Sequence, residues 1–319
     1  MYSLLDLAFV GRDETPSVAL AGCVQLAQRA EALGYRRVWY AEHHNMPRIA
    51  SSAPAVLIAH VAAHTRTLKL GAGGVMLPNH APLVIAEQFG TLAALHPGRI
   101  ELGLGRAPGT DGHTLRALRR DPGAADTFPQ DVLELQGYLT GATRIPGVQA
   151  TPGAGTNVPL WILGSSLFGA ELAALLGLPY AFASHFAPGA LRQAVALYRA
   201  KFRPSEQLDR PYVIAGANLI VAETEAAALA QRRVVERLRA EILLGGGRAL
   251  TEEEADRLLR TPQAAFLTEM MRYAAVGTPA QVRAWLADFA RHADADELML
   301  APAGPSIAER VRSVELAAE

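Results

Sequence analysis

The chain has 319 residues, 50% of them hydrophobic and 19% charged, a composition that excludes disorder and fits a large buried core. Lys and Arg number 30 against 31 Asp and Glu, a formal net charge of −1, which gives no electrostatic ground for nucleic acid or an anionic membrane as partner. Its one cysteine, Cys23, excludes an internal disulfide framework and a multi-cysteine metal centre, and within VALAGCVQLA it reads as a small buried hydrophobe.

The opening run MYSLLDLAFVGRDE has no basic stretch before its apolar residues, so it reads as a first strand over 4–10 and not as a signal peptide. No apolar run approaches the ~20 residues of a membrane span, and a cytoplasmic protein is the expectation. Pro16 opens a helix in which Leu20, Cys23, Val24 and Ala27 share one face, and Gly34 ends it. A strand at 37–41, a helix at 54–63, a strand at 68–75, a helix at 80–95 and a strand at 99–104 follow. Residues 106–126 are rich in Gly and Pro and read as a long loop with room for one short helix. A helix over 127–139 and a second Gly/Pro/Thr-rich excursion over 141–157 come next. The alternation resumes with a strand at 159–163, a helix at 168–176, a strand at 180–183, a helix at 188–202 and a strand at 212–221. A charged helix over 224–244 is broken by Gly245-Gly246-Gly247, which begin an insertion reaching Gly277. An amphipathic helix with Val282, Trp285, Leu286 and Phe289 on one face, a strand at 297–301 and a helix at 307–316 complete the chain. Eight strands alternating with helices predict an α/β protein, a (β/α)8 TIM barrel with insertions after strands four and seven, as a single domain over 1–319. A doubly wound open sheet is the rival that periodicity leaves open.

In parallel α/β proteins ligands sit at the carboxyl ends of the strands, and there the unusual residues collect. Glu42-His43-His44-Asn45 follows the second strand, and Gly71-Ala72-Gly73-Gly74 closes the third. Gly103-Leu104-Gly105-Arg106 closes the fourth, Gly164-Ser165-Ser166 the fifth and Ser184-His185 the sixth. Adjacent histidines after a strand suit a helix cap as well as catalysis. They do not suit zinc, because no third ligand stands in HExxH or HxH register, and only Glu42 and Asp111 offer carboxylates to a two-metal hydrolase. No metal site is expected. The run from Gly103 to Gly109 is not a dinucleotide fingerprint: its third glycine is displaced, Pro108 intrudes and no helix opens there. P-loop and GxSxG motifs are absent from the sequence. The basic runs 116–120 and 232–239 read as solvated helix faces. Arg106 differs, leaving a strand that is otherwise apolar or glycine, where a guanidinium calls for an anion. Gly164-Ser165-Ser166 adds hydroxyls and an open helix N-terminus. Together they point to a phosphate-bearing ligand.

The run from GYRRVWYAEHHN to GRAPGTD, residues 34–111, resembles the luciferase-like (bacterial luciferase family) flavin-dependent monooxygenases. It particularly resembles the alkanal-monooxygenase-like subgroup, and the similarity continues through WILGSSLFGAELAALLGLPYAFASHF, residues 161–186. The resemblance implies a barrel that uses reduced FMN as cosubstrate and O2 to oxygenate a small organic substrate, and a homodimer formed through helices two and three; the absence of a nicotinamide fingerprint points to a separate flavin reductase. It implies that His43 assists as hydrogen-bond donor or acid/base beside the flavin, with Glu42 orienting it or a neighbour. It further implies a cis Gly73–Gly74 peptide against the flavin ring and phosphate contacts from Arg106 and Ser165, flanked by Gly164 and Ser166. Gly164 and Phe168 stand where luciferases themselves carry polar or acidic residues, so those side-chain contacts do not carry over, and no light-emitting lid is recognisable. Two alternatives share the fold: an F420-dependent oxidoreductase, for whose acidic tail Arg36, Arg48 and Arg116 supply basic residues, and a catalytically silent flavin-binding protein. A metal-dependent barrel hydrolase is the third. An apolar pocket is expected, shaped by loops 47–52, 112–126 and 245–277.

Overall fold

Most of the barrel strands are buried on both faces, as parallel strands between a core and a helix layer must be. In the computed structural model, which describes residues 1–107, 111–246 and 248–319, they are β1 (Tyr2–Asp6), β2 (Arg37–Tyr40), β3 (Lys69–Met76), β4 (Ile100–Gly105), β5 (Leu160–Gly164), β6 (Tyr180–Phe182), β7 (Val213–Val221), β8 (Ala274–Gly277) and β9 (Glu297–Pro302). The α-helices are α1 (Pro16–Ala32), α2 (Pro54–Ala63), α3 (Pro82–Leu95), α4 (Gly112–Ala117), α5 (Phe128–Thr140), α6 (Leu167–Leu176), α7 (Leu191–Lys201), α8 (Glu225–Leu244), α9 (Glu252–Leu259), α10 (Ala265–Met270), α11 (Pro279–Ala293) and α12 (Ile307–Ala318). Proline in the first turn opens α1, α2, α3, α5 and α11, where its missing N–H costs nothing. Pro108, Gly109 and Gly247 of the motifs above lie outside the described residues.

Strands β1 to β7 pair in order, all parallel, and β9 joins β7 back to β1. The ring is closed, a (β/α)8 barrel, and the open-sheet rival falls because β6 also pairs with β7. Two expectations need correction. The first strand stops at Asp6, not residue 10, since Ala8 takes φ 48° and Phe9 turns away to bridge antiparallel to Ile49. The insertion after β7 contains a strand: β8 pairs with Asn218–Val221, beyond the stretch of β7 that β6 covers. AAVG is too short and small-chained to announce itself by periodicity.

Side chains alternate along each strand. Leu4, Val38, Leu70, Leu102 and Ile162 face the helices in the outer core, each fully buried; truncating one to Ala costs about 2–5 kcal/mol. The other parity fills the barrel. At its amino end Arg37 Nη1 meets Glu101 at 2.7 Å and Arg37 Nε meets Glu297 at 3.1 Å. Ser3, Trp39 Nε1 and Tyr212 Oη also donate to these two carboxylates. Above that charged foot sit Leu5, Trp39, Trp161, Ile214 and Met299, with the two indoles packed edge to face at 5.2 Å. The carboxyl ends of the strands therefore form the mouth that opens above an apolar floor.

Candidate active site

Strand β2 ends at Tyr40 and the chain leaves the barrel as Ala41-Glu42-His43-His44. Glu42 is fully buried because its carboxylate turns toward the end of β3. Its Oε2 accepts the Met76 N–H at 3.0 Å. Its Oε1 accepts His44 Nε2 and His80 Nε2, each at 2.8 Å, and Asn79 Nδ2 at 3.4 Å. Burial alone would raise this carboxyl, yet the bonds from His80, His44 and the Met76 amide hold it below its usual value. Glu42 is thus an anion at neutral pH that fixes the proton of two imidazoles on Nε2.

His43 has no such tie. Its backbone N–H reaches Ser51 O at 3.1 Å, while its ring Nδ1 is buried without a hydrogen-bond partner. Burial, opposed by the charge of Glu42 and reinforced by His44, lowers its pKa, so the ring is neutral at pH 7. Of the two options for Glu42, orienting His43 or a neighbour, the contacts favour the neighbours His44 and His80.

Beside this cluster the Gly73–Gly74 peptide is cis, as the resemblance implies, and the β3–β4 register shifts between Gly73 and Val75. The barrel itself demands both glycines. A Cβ on Gly73 would lie 2.8 Å from Trp39 Cβ, and one on Gly74 2.7 Å from Gly103 O.

Arg106 leaves β4 exposed to solvent, its Cζ 4.0 Å from the ring centroid of Phe168. No carboxylate pairs with it among the described residues. Gly164 ends β5, and Ser166 is the N-cap of α6 without a side-chain cap bond, so the first N–H groups of that helix have no side-chain acceptor. One guanidinium, the hydroxyls of Ser165 and Ser166 and an uncapped helix N-terminus form a donor set suited to a phosphate. That set fits the phosphate of FMN. Phe168, a departure from the luciferases, gives Arg106 a stacking surface in place of a polar contact.

The strands that carry these residues, β2 to β5, are consecutive neighbours in the barrel, so Glu42, His43, Gly73, Gly74, Arg106, Gly164, Ser165 and Ser166 lie along one arc of the mouth. A family model described as luciferase-like monooxygenase matches residues 1–296. The chain belongs to the luciferase-like monooxygenase family. It is 47% identical over 305 residues to "Luciferase-like monooxygenase" of Escherichia coli (strain K12), covering 94% of this chain and 90% of that one. It is 35% identical over 272 residues to "N-acetyl-S-alkylcysteine monooxygenase" of Bacillus subtilis (strain 168), covering 81% of this chain and 78% of that one. The crystal structure of apo-MsnO8 shares the fold with a TM-score of 0.89 at 35% identity, covering 99% of this chain and 97% of that one.

Other parts of this luciferase-like monooxygenase refine the expectations. Of the arginines considered for an F420 tail, Arg36 stands at the amino end of the barrel beside Tyr212 Oη and Glu297. Arg48 is bound to Glu241 at 2.8 Å, and Arg116 to His113 Nδ1 at 2.6 Å. They do not converge. The sequence reading does not single out His80, which it takes as the first residue of a helix, or Asn79, which it leaves in the connection before it; their place just beyond the carboxyl end of β3 is the available signal. His185, after β6, packs its ring against Gly216, where any Cβ would collide with it. Burial, then the charges of Arg239 and His43, lower its pKa to about 4, and its Nδ1 is also buried without a partner. Among the described residues no group of three or more His, Cys, Asp or Glu is placed to hold a metal ion, and no described helix is long and apolar enough to cross a membrane.

Proposed function

We propose that residues 1–319 form one domain acting as an FMN-dependent monooxygenase, which takes reduced FMN from a separate reductase and uses O2 to oxygenate a small organic substrate. The observation that carries this reading is the arc itself: a neutral, part-buried His43 at one side, an anion-binding group of Arg106, Ser165 and Ser166 at the other, and the cis Gly73–Gly74 peptide between them. Arg106, the two serines and the α6 N-terminus would hold the phosphate, with Gly164 leaving room beside them. Bound reduced flavin supplies the electrons that activate dioxygen.

The protein's own share is positioning, proton control and water exclusion. His43 holds or releases a proton at Nδ1, the buried atom that no protein group satisfies. Glu42 acts one step back, keeping His44 and His80 fixed so that the wall beside His43 cannot rearrange. Trp39, Trp161, Leu5 and Met299 close the barrel beneath and keep water from the reacting centre. The relative named for N-acetyl-S-alkylcysteine supports a soft, oxidisable substrate centre such as a thioether. F420 finds less support, since Arg36 and Arg48 are engaged elsewhere. In solution we infer a homodimer formed through α2 and α3.

The test is a titration of the flavin-free protein with FMN, followed by oxygen uptake with reduced FMN. Saturable binding that weakens about tenfold to hundredfold in Arg106→Ala is expected, because a charge-assisted bond is lost. Absence of flavin binding, or binding indifferent to Arg106, would remove the assignment.

A further inference from the structure

Charges withdrawn from water are normally paired, and on α8 even arginines that keep much of their exposure have carboxylate partners. Arg232 donates to Glu236 at 2.8 Å, while Arg233 and Arg237 donate to Asp256 at 2.9 and 2.8 Å. Arg239 is the exception, so the reading of residues 232–239 as a solvated face fails there. Its Nη2 donates to Asn218 Oδ1 at 2.6 Å and its Nη1 to the Met271 sulfur at 2.7 Å, and no carboxylate pairs with it among the described residues. A thioether is a weak acceptor, and a guanidinium has five N–H donors to satisfy. Burial, partly offset by the charge of Glu236, lowers its pKa to about 10, which still leaves it a cation at neutral pH.

This guanidinium lines a cavity of about 210 Å³ between α8, α9 and α10, with Arg260, Thr268, Leu259, Leu267 and Met271. The two carboxylates in the same wall, Glu236 and Asp256, are those already bound by Arg232, Arg233 and Arg237. What remains is a pair of arginines and a hydroxyl beside an apolar surface.

We propose that this cavity binds a small organic carboxylate, gripped at two points by Arg239, completed by Arg260 and Thr268, with its apolar part against Leu259, Leu267 and Met271. Two hydrogen bonds, both through Asn218, link the site to His185 after β6. Asn218, fully buried on β7, accepts from Arg239 and donates its Nδ2 to His185 O at 2.9 Å and to Met270 O at 3.1 Å. A bound anion would therefore be felt at His185.

Calorimetric titration of the full chain, without flavin and at low salt, tests this with hexanoate and hexanamide. Hexanoate should bind saturably and at least about tenfold more tightly than the amide, as a charge-assisted pair requires. Arg239→Met should bring the acid down to the level of the amide while still melting cooperatively, at a temperature somewhat below the parent's because Asn218 Oδ1 loses its donor. Arg260→Gln, at an exposed position, should weaken hexanoate about threefold or more. Equal binding of acid and amide, absence of saturable hexanoate binding, or undiminished affinity in either variant overturns the proposal. Decanoate separates the sources of the anion within it: tighter binding than hexanoate marks the acid end of a longer substrate, equal binding a free short carboxylate.

Discussion

His80 Nε2 donates to Glu42 Oε1 across 2.8 Å, joining the turn after β3 to the chain leaving β2. His44 uses the same oxygen at the same distance. One carboxylate thus serves two imidazoles, and the amide of Met76 takes its other oxygen.

Replacing that carboxylate should be costly in two measurable ways. In Glu42→Gln a single neutral oxygen must serve both rings, and an NH2 faces the Met76 amide or an imidazole. Stability in urea should fall by about 1–3 kcal/mol, the cost of a buried charged hydrogen bond left incomplete. Oxygen uptake with reduced FMN should fall about tenfold or more while FMN affinity stays within about twofold. Unaltered stability would show that the shared acceptor contributes nothing.

His43→Ala should bind FMN as the parent does and lose about 10²- to 10⁴-fold in turnover, the usual share of a positioned acid or base. The pH profile carries the sign. Burial lowers the imidazole from its ordinary 6.5, so the neutral ring predominates through neutrality and the rate should be level there, declining only below pH 6.5 as the ring takes a proton. An acid limb above 6.5 would contradict a buried His43.

Glu31 offers a stability prediction away from the site. Its carboxylate accepts the N–H groups of Arg66, Thr67 and Leu68 at 2.9, 2.6 and 2.8 Å, tying α1 to the turn before β3. Burial would raise its pKa, but these bonds bring it from 4.5 down to about 2. A folded value below the unfolded one means stability that is complete above about pH 4.5 and lost as pH falls toward 2. Glu31→Gln should therefore cost about 1–2 kcal/mol at pH 7, after discounting for partial exposure. In urea melts the two proteins should converge by about pH 2; a gap that persists there would place the effect elsewhere.

The homodimer is tested on α2 and α3. Val56 is 71% exposed, Leu95 65% and Val84 44%, more apolar surface than two helices over a barrel need to leave in water. Light scattering should give twice the chain mass, and Val56→Arg combined with Val84→Arg should give a monomer that retains FMN binding. A parent protein that runs as a monomer disposes of the interface.

Much of this was legible in the amino-acid order because a barrel repeats one simple unit. Pro54 and Ala63 bound α2 as the sequence reading has them, since proline at the start and loss of apolar spacing at the end are local signals. The arc of Glu42, His43, Arg106 and Ser165 was legible for another reason, as polar residues at strand ends stand out against apolar runs. His80 and Arg239 were not. Both owe their interest to partners far along the chain, Glu42 in one case and Asn218 in the other, and no spacing within a helix encodes the absence of a carboxylate. β8 was hidden because four small residues gain strand character only from the edge of β7 that receives them.

The foot of the barrel has a consequence for how such a chain diversifies. Arg37, Glu101, Glu297 and Ser3 knit together the pole farthest from His43, and every one of them is supplied by the opening residues of a strand. Specificity can then be rewritten at one pole while cohesion is kept at the other.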